Sequence, residues 1–516
     1  MPNGSLKRVG AVLALAPWPL AALAAPGCPA VEQYLADKAV DVVCFHSDDL
    51  RTNNAVTTPP NNSILTFADG SPFPGLLGGS GGFTPITDRG VISNGPEPTS
   101  AAVPGIQVEG WFADDPTKQA RFVLRFPDDW NGKLVVAGAS GTRSEYNGDW
   151  AWSDYVLPKG YAYASQNKGV LNLYLASLNS ATQPASDPLA CRLNAGTGIA
   201  PPSTVWVHFY DNDPQKPFTQ WTQYMLETAQ LAQSALKANY NRFPRRTYAV
   251  GTSNGGYQVR RAVEEAPNLF DGGIDWEGTF VDASGPNILI DLPPAIRNFS
   301  AYVASDYDPN STAAQNIRAA GYPPDIVKRD PVTSAVTDSV WLRYSNSFWE
   351  VTACQWQERF DPTYPTYTAG LGNYDYLARL HLPGVFESVD AIATTGKIKK
   401  PLITVAGTMD ALLPIKRGAR AYEAVVDASR KGNNEHRNAQ YRLYEVQNGN
   451  HIESYALPAA FPQLRVIQPH AQKAFDLLVD HVENKAPLPP SQCIPKDGAI
   501  SANPAEPGHC SQLFVP

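Results

Sequence analysis

Charge is scarce in this chain, and no part of it concentrates charge of one sign. Lys plus Arg number 41 and Asp plus Glu 49 in 516 residues, with a formal net charge of -8. No basic run stands out, so a polyanion such as nucleic acid would be repelled and is excluded as a partner. Metal patterns are missing as well. There is no HExxH, no CxxC pair and no clustered histidine, so no metal and no cofactor is expected. After the first 25 residues no stretch is apolar enough to span a bilayer, and the mature chain is expected to be soluble.

What is present is ordered and aromatic. Hydrophobic residues make up 43%, with 11 Trp and 23 Tyr, enough to bury a large core. With 46 Pro and 39 Gly, the connections should be long and turn-rich rather than those of a helical bundle. Lys7 and Arg8 precede an apolar run from Val9 to Leu23, and Leu23-Ala24-Ala25 supplies small residues before Pro26. This predicts a signal peptide over 1–25 and a secreted or periplasmic protein. A retained anchor is the alternative, but Pro17 and Pro19 break the short run. All six cysteines lie beyond it, an even number suited to an oxidising compartment. Proximity favours Cys28–Cys44 and Cys493–Cys510, which leaves Cys191–Cys354; the other pairings stay open.

Residues 26–100 are rich in Pro, Asn, Gly and Thr and read as a loop-rich N-terminal extension. Alternation in VEGWF from Val108 and in ARFVLRFP from Ala120 predicts two antiparallel strands. KLVVAGAS from Lys133 is a short aliphatic run, a buried strand entering a loop, and GYAYASQNKG from Gly160 is the next strand. Helical spacing over 219–238 leads into RRTYAVGTSNGG, a strand entering a Gly-rich turn, and QVRRAVEEAP resumes the helical period. GGIDWEGTF from Gly272, KPLITVAGTMD from Lys400 and YRLYEVQNGNH from Tyr441 are further strands, with helices over RGARAYEAVVDAS and roughly 465–484. Strands alternating with helices predict a mostly parallel α/β sheet. Its two parts, 101–286 and 395–485, flank a large insertion at 287–394, and a Pro-rich tail follows at 486–516. The insertion carries Trp341, Tyr344, Phe348, Trp349, Trp356, Phe360, Tyr364 and Tyr367, most of them expected to be core.

Gly251-Thr252-Ser253-Asn254-Gly255 fits G-x-S-x-G between a strand and a helix. Glycines two residues either side of the serine let strand and helix approach without Cβ clashes. In that setting the pattern predicts the α/β-hydrolase fold, with Ser253 as nucleophile and the insertion as a lid. A serine hydroxyl needs an adjacent base, and in this fold an acid and then a histidine follow the nucleophile. Asp410, just past a strand, and His451, in the turn after the next, occupy those places; a helix N-cap is the ordinary alternative for Asp410, and a surface turn for His451. His208, His470, His481 and His509 fit worse. The oxyanion of an acyl-transfer intermediate needs two donors: the N–H of Asn254 and one from Ala139 or Ser140, between which the residues do not choose. Arg143, Glu145 and Tyr146, just beyond, are candidates for substrate contact.

GASGTRSEYNGDWAWSDYVLPKGYAYASQNKG, VGTSNGG and GTMDALLPIKRGARAY with LYEVQNGNH resemble the corresponding segments of D-3-hydroxybutyrate oligomer hydrolases, over 130–280 and 400–455. The resemblance implies a serine carboxylic-ester hydrolase acting through an acyl-enzyme on oligomeric or small-molecule esters. WNGKLVVAG and the long insertion are similar, more distantly, to tannases and feruloyl esterases, which implies aromatic esters instead. That family joins cysteines beside its serine and histidine, where this chain has Thr252 and Asn450. A peptidase using the same residues and a catalytically silent binding protein on a hydrolase scaffold are the remaining alternatives.

Overall fold

The apolar strand segments form part of a ten-stranded sheet whose central strands are buried on both faces. The structure, a computed structural model, describes residues 27–51, 66–67, 101–116, 119–141, 145–146, 148–169, 174–177, 179–194, 202–208, 217–432, 440–456 and 460–516. The expected signal peptide, most of the N-terminal extension and Arg143 lie outside the described residues.

The sheet contains β1 (Ala39–Ser47), β2 (Gly105–Phe112), β3 (Arg121–Pro127), β4 (Lys133–Gly138), β5 (Ala162–Gln166), β6 (Arg246–Thr252), β7 (Gly272–Trp276), β8 (Leu402–Gly407), β9 (Tyr441–Val446) and β10 (Gln492–Ile494). Their spatial order is β1-β2-β3-β5-β4-β6-β7-β8-β9-β10. From β5 to β10 every pairing is parallel, whereas β1, β2 and β3 join antiparallel. The longest helices among the described residues are α1 (Thr219–Tyr240), α2 (Asn254–Glu265), α3 (Ile288–Ala304), α4 (Glu350–Phe360), α5 (Ala419–Gly432) and α6 (Gln468–Asn484).

Period-2 geometry sends alternate side chains to opposite faces. Leu134 and Val136 of β4 pack with Met225 and Leu236 of α1, Val259 of α2 and Val426 of α5. Val135 and Ala137 pack on the other face with Phe475 and Leu478 of α6. Both faces are thus covered, as a parallel sheet requires.

Two segments differ from their sequence reading. The 26–100 stretch, read as loop, begins with a helix, Cys28–Leu35, and contributes the edge strand β1. The 486–516 tail supplies β10 at the opposite edge. One is hidden by the composition of its surroundings and the other is too short to show a period. The three disulfides are Cys28–Cys44, Cys191–Cys354 and Cys493–Cys510.

The chain between β7 and β8 forms α3, a short ribbon (Val327–Arg329 with Val336–Ser339), α4 and several shorter helices. Its aromatics are mostly core: Trp341, Tyr344, Trp349, Trp356 and Phe360 are buried, and Tyr367 is 38% exposed. The five buried ones share one apolar cluster with Phe218 and Trp221 at the start of α1, Tyr257 of α2, and Met409 and Ala411 beyond β8. The insertion is therefore packed into the sheet domain rather than standing apart from it.

Candidate active site

Ser253 sits at the tip of the turn from β6 into α2, with φ 58° and ψ -121°. L side chains rarely adopt this region, and holding one there costs roughly 1–3 kcal/mol. Glycines make the turn sterically feasible. A Cβ on Gly251 would lie 2.3 Å from the Gly255 carbonyl oxygen, and one on Gly255 would lie 2.3 Å from that of Gly138. Strand, helix and the loop after β4 thus meet backbone to backbone. The Ser253 N–H donates to the Trp276 carbonyl at 2.9 Å, and its carbonyl accepts from Tyr257 at 3.0 Å.

His451 Nε2 lies 3.0 Å from Ser253 Oγ, and its Nδ1 lies 2.7 Å from Asp410 Oδ2. Asp410 Oδ1 accepts from the N–H groups of Leu412 and Leu413, both at 2.7 Å. The carboxylate therefore caps its own turn with one oxygen and faces the imidazole with the other. Burial alone would lower the His451 pKa. The Asp410 charge and hydrogen bond, with the Glu277 carboxyl, outweigh it, and the net shift is upward.

Glu277 carries no motif and was read simply as part of a strand. It follows β7 at φ 51°, its Oε1 accepts from the Gly407 N–H at 2.8 Å, and its Oε2 lies 3.5 Å from His451 Nδ1. Burial, and then the charge of Asp410, push its pKa above the usual carboxylate range against the pull of His451. The one available signal was its place just beyond the carboxyl end of a core strand, the same signal that marks Asp410. Donor atoms of Glu277, Asp410 and His451 lie within 4.8 Å of one another, a spacing that could hold a cation. Binding one through His451 Nδ1 would break its 2.7 Å hydrogen bond to Asp410.

Asn254 opens α2 directly after Ser253, and its Oδ1 accepts from Thr279 Oγ1 at 2.9 Å. Of the two residues left open in the loop after β4, Ala139 has its N–H committed to Gln258 Oε1 at 3.0 Å. That hydrogen bond stands against the expectation that the Ala139 N–H is the second oxyanion donor. Glu145 and Tyr146 are also placed differently from expectation. Both are buried, at 4% and 1% exposed. Glu145 Oε1 lies 4.0 Å from Arg121 Nη1, while Tyr146 packs 5.9 Å from the Arg125 guanidinium and is hydrogen-bonded to Glu109. These contacts belong to the packing of β2 and β3 rather than to a surface open to substrate. His208 lies in a separate network, with Nδ1 3.0 Å from Asp187 and Nε2 3.0 Å from Arg359 Nη2.

The loops that carry the acid and histidine are held by segments far away in sequence. The Tyr344 hydroxyl, from the insertion, donates to Asn450 Oδ1 at 3.1 Å and accepts from the Ile452 N–H at 3.3 Å. Trp349 Nε1 donates to the Ala411 carbonyl at 2.7 Å. From the tail, Val515 exchanges two hydrogen bonds with the Asn448 carboxamide, at 2.6 and 2.9 Å, and the Leu513 carbonyl accepts from Thr408 Oγ1.

Strand order β2-β3-β5-β4-β6-β7-β8-β9, a strained serine between strand and helix, and an acid and histidine after later strands decide the architecture. The chain has the α/β-hydrolase fold. Residues 378–507 match the family model of the 3HB-oligomer hydrolases (3HBOH). That stretch includes Asp410 and His451 and stops short of the Ser253 segment, so it covers the second part of the resemblance seen in the sequence. Over 127 residues the chain is 35% identical to a D-(-)-3-hydroxybutyrate oligomer hydrolase of Burkholderia thailandensis, covering 24% of this chain and 18% of the relative. The same figures hold for proteins of that name from Burkholderia mallei and Burkholderia pseudomallei. The matched stretch thus spans less than a fifth of these relatives' length. Among solved structures, feruloyl esterase B from Aspergillus oryzae superposes with a TM-score of 0.47 at 12% identity, covering 77% of this chain and 85% of that one. The tannin acyl hydrolase from Aspergillus niger gives a TM-score of 0.40 at 14% identity, with 82% and 89% covered.

Proposed function

We propose that this chain is an exported carboxylic-ester hydrolase in which Ser253 is the nucleophile, His451 the general base and Asp410 the acid that orients it. The observation that carries this reading is the continuous relay from Asp410 Oδ2 through the His451 ring to Ser253 Oγ, at 2.7 and 3.0 Å. Nothing in a purely structural role requires a serine in strained backbone geometry at the end of such a relay.

In the proposed cycle, Ser253 Oγ attacks the ester carbonyl while His451 Nε2 takes its proton, and Asp410 stabilises the imidazolium. The tetrahedral oxyanion accepts hydrogen bonds from the N–H groups of Asn254 and Ser140. Collapse expels the alcohol, which takes the proton from His451, and leaves an acyl-enzyme. Water, deprotonated by His451, then attacks the acyl carbon and releases the acid and Ser253.

For substrate, the reading is an oligoester such as a 3-hydroxybutyrate oligomer. It is supported by the family match over the segment that holds Asp410 and His451. The insertion would form the lid and pocket wall, since Tyr344 and Trp349 reach the loops of both residues. Export is supported by the three disulfides. The test is a panel of 3-hydroxybutyrate dimers and trimers, gallate and ferulate esters, matched amides and short p-nitrophenyl esters, with fluorophosphonate labelling of Ser253. Turnover of hydroxybutyrate oligomers and labelling at Ser253 are expected. Exclusive turnover of aromatic-acid esters would move the substrate class, and absence of both turnover and labelling would leave a silent binding scaffold.

A further inference from the structure

Lys168 stands at the end of β5 with its side chain fully buried. Desolvating an ammonium is costly unless its donors are met, and here they meet backbone. Nζ donates to the carbonyls of Ala139, Ser140 and Gly141 at 3.2, 3.2 and 2.7 Å. These are three successive residues, and they form the loop after β4 that faces the Ser253 turn. The main chain of Lys168 is held as well: it adopts φ 66°, and its N–H donates to Gln166 Oε1. The loop is gripped from a second side by Gln258 of α2, which accepts from the Ala139 N–H at 3.0 Å and donates to the Trp221 carbonyl at 2.5 Å.

Peptide planarity turns this cluster into an argument about direction. In a trans peptide the C=O of one residue and the N–H of the next point opposite ways. A cation that draws the Ala139 carbonyl toward itself sends the Ser140 N–H away from itself, and drawing the Ser140 carbonyl does the same to the Gly141 N–H. We propose that Lys168 is the positioning residue of the oxyanion loop: its ammonium gathers the carbonyls of residues 139–141 and so aims the Ser140 N–H at the developing oxyanion beside Ser253. This rests on the ester-hydrolase reading above. Lys168 does not touch substrate; it acts through the backbone it holds.

The experiment compares wild type with Lys168→Met, which keeps an unbranched apolar stem and removes all three donors. Both are assayed on p-nitrophenyl butyrate, with inhibition by an alkyl trifluoromethyl ketone, whose serine adduct carries the oxyanion. A misaimed donor should lower kcat by about 10- to 100-fold and weaken the ketone by the same factor, with KM changed less than about threefold. A role confined to packing would lower thermal stability without this parallel loss. A kcat and ketone affinity both within about threefold of wild type overturn the proposal, as does a fall in kcat without a fall in ketone affinity. Where Lys168→Met does not fold, Lys168→Gln, which is neutral with two N–H donors, is judged by the same two readouts. Fluorophosphonate labelling of wild-type Ser253 separates the two levels. Absence of labelling overturns the ester-hydrolase reading and this inference with it, whereas labelling beside an unaffected Lys168 variant overturns this inference alone.

Discussion

Glu277 Oε2 lies 3.5 Å from His451 Nδ1, the nitrogen that Asp410 Oδ2 holds at 2.7 Å. Two buried carboxyl groups thus face one imidazole edge, and the nearer carries the hydrogen bond. In a triad with a single acid, replacing it by the amide costs about 10⁴ in kcat because the imidazole takes the wrong tautomer. Here Glu277 stands ready to accept the same N–H. Asp410→Asn is expected to lose markedly less, about 10²-fold, and Asp410→Asn with Glu277→Gln to reach the full loss of about 10⁴. Steady-state kinetics of the single and double variants decide this. Equal losses in both would remove any part for Glu277.

The upward shift of His451 sets a pH dependence. Catalysis needs the neutral imidazole, so kcat/KM should rise with pH along a limb whose midpoint lies above the ordinary imidazole value of about 6.5. Since the Glu277 carboxyl contributes to that shift, Glu277→Gln should move the midpoint to lower pH. The stability sign runs the other way. A histidine with a raised folded-state pKa contributes stability that is fully present below about 6.5 and is lost as pH rises through the raised value. A rate profile with its midpoint at or below that of free imidazole would contradict the account.

Backbone approach at the serine turn predicts intolerance of a single methyl group. Gly255→Ala places a Cβ 2.3 Å from the Gly138 carbonyl oxygen, and overpacking of this kind costs about 1–3 kcal/mol. Displacing the turn should also abolish ester turnover. Gly418→Ala is the contrast, because its Cβ would meet nothing nearer than 3.6 Å. Chemical denaturation and kcat for both variants test the difference.

Removing the Tyr344 hydroxyl should slow the enzyme without contact with the reacting atoms. Tyr344→Phe leaves the half-buried Ile452 N–H and the buried Asn450 Oδ1 without that partner, a loss of about 1–3 kcal/mol. These groups flank His451, so kcat should fall several-fold with KM nearly unchanged. A stability loss with unaltered kcat would show that the insertion holds the fold and not the histidine.

The tail gives another lever on the loops after β8 and β9. Cys493–Cys510 closes 17 residues, and a bridge of that span is worth about 3 kcal/mol in the chain-entropy account. Replacing both cysteines by serine should lower the thermal midpoint and, by loosening Leu513 and Val515 from Thr408 and Asn448, reduce kcat as well. Thermal unfolding and kinetics of the double variant measure the two effects separately.

Local rules made much of this protein legible from its residues. Alternation marks β2 and β3, short apolar runs mark β4 to β9, and the 3.6-residue period marks α1, α2, α5 and α6, because each element's apolar residues are written within its own segment. Ser253 was legible for the same reason: the glycines its turn needs are two residues away. The places of Asp410 and His451 after later strands followed from chain order, two of the three disulfides from short spacing, and the third as the pair that remained. Only the tertiary structure decided the rest. The Ala139 N–H is taken by Gln258, 119 residues later; Glu277 and Tyr344 reach partners 130 and 106 residues away, Val515 one 67 residues away, and Lys168 a loop 27–29 residues before it. No period or motif encodes such contacts. They arise when the sheet brings the carboxyl ends of its strands together, and a charge or hydroxyl buried there must find a partner wherever the fold has put one.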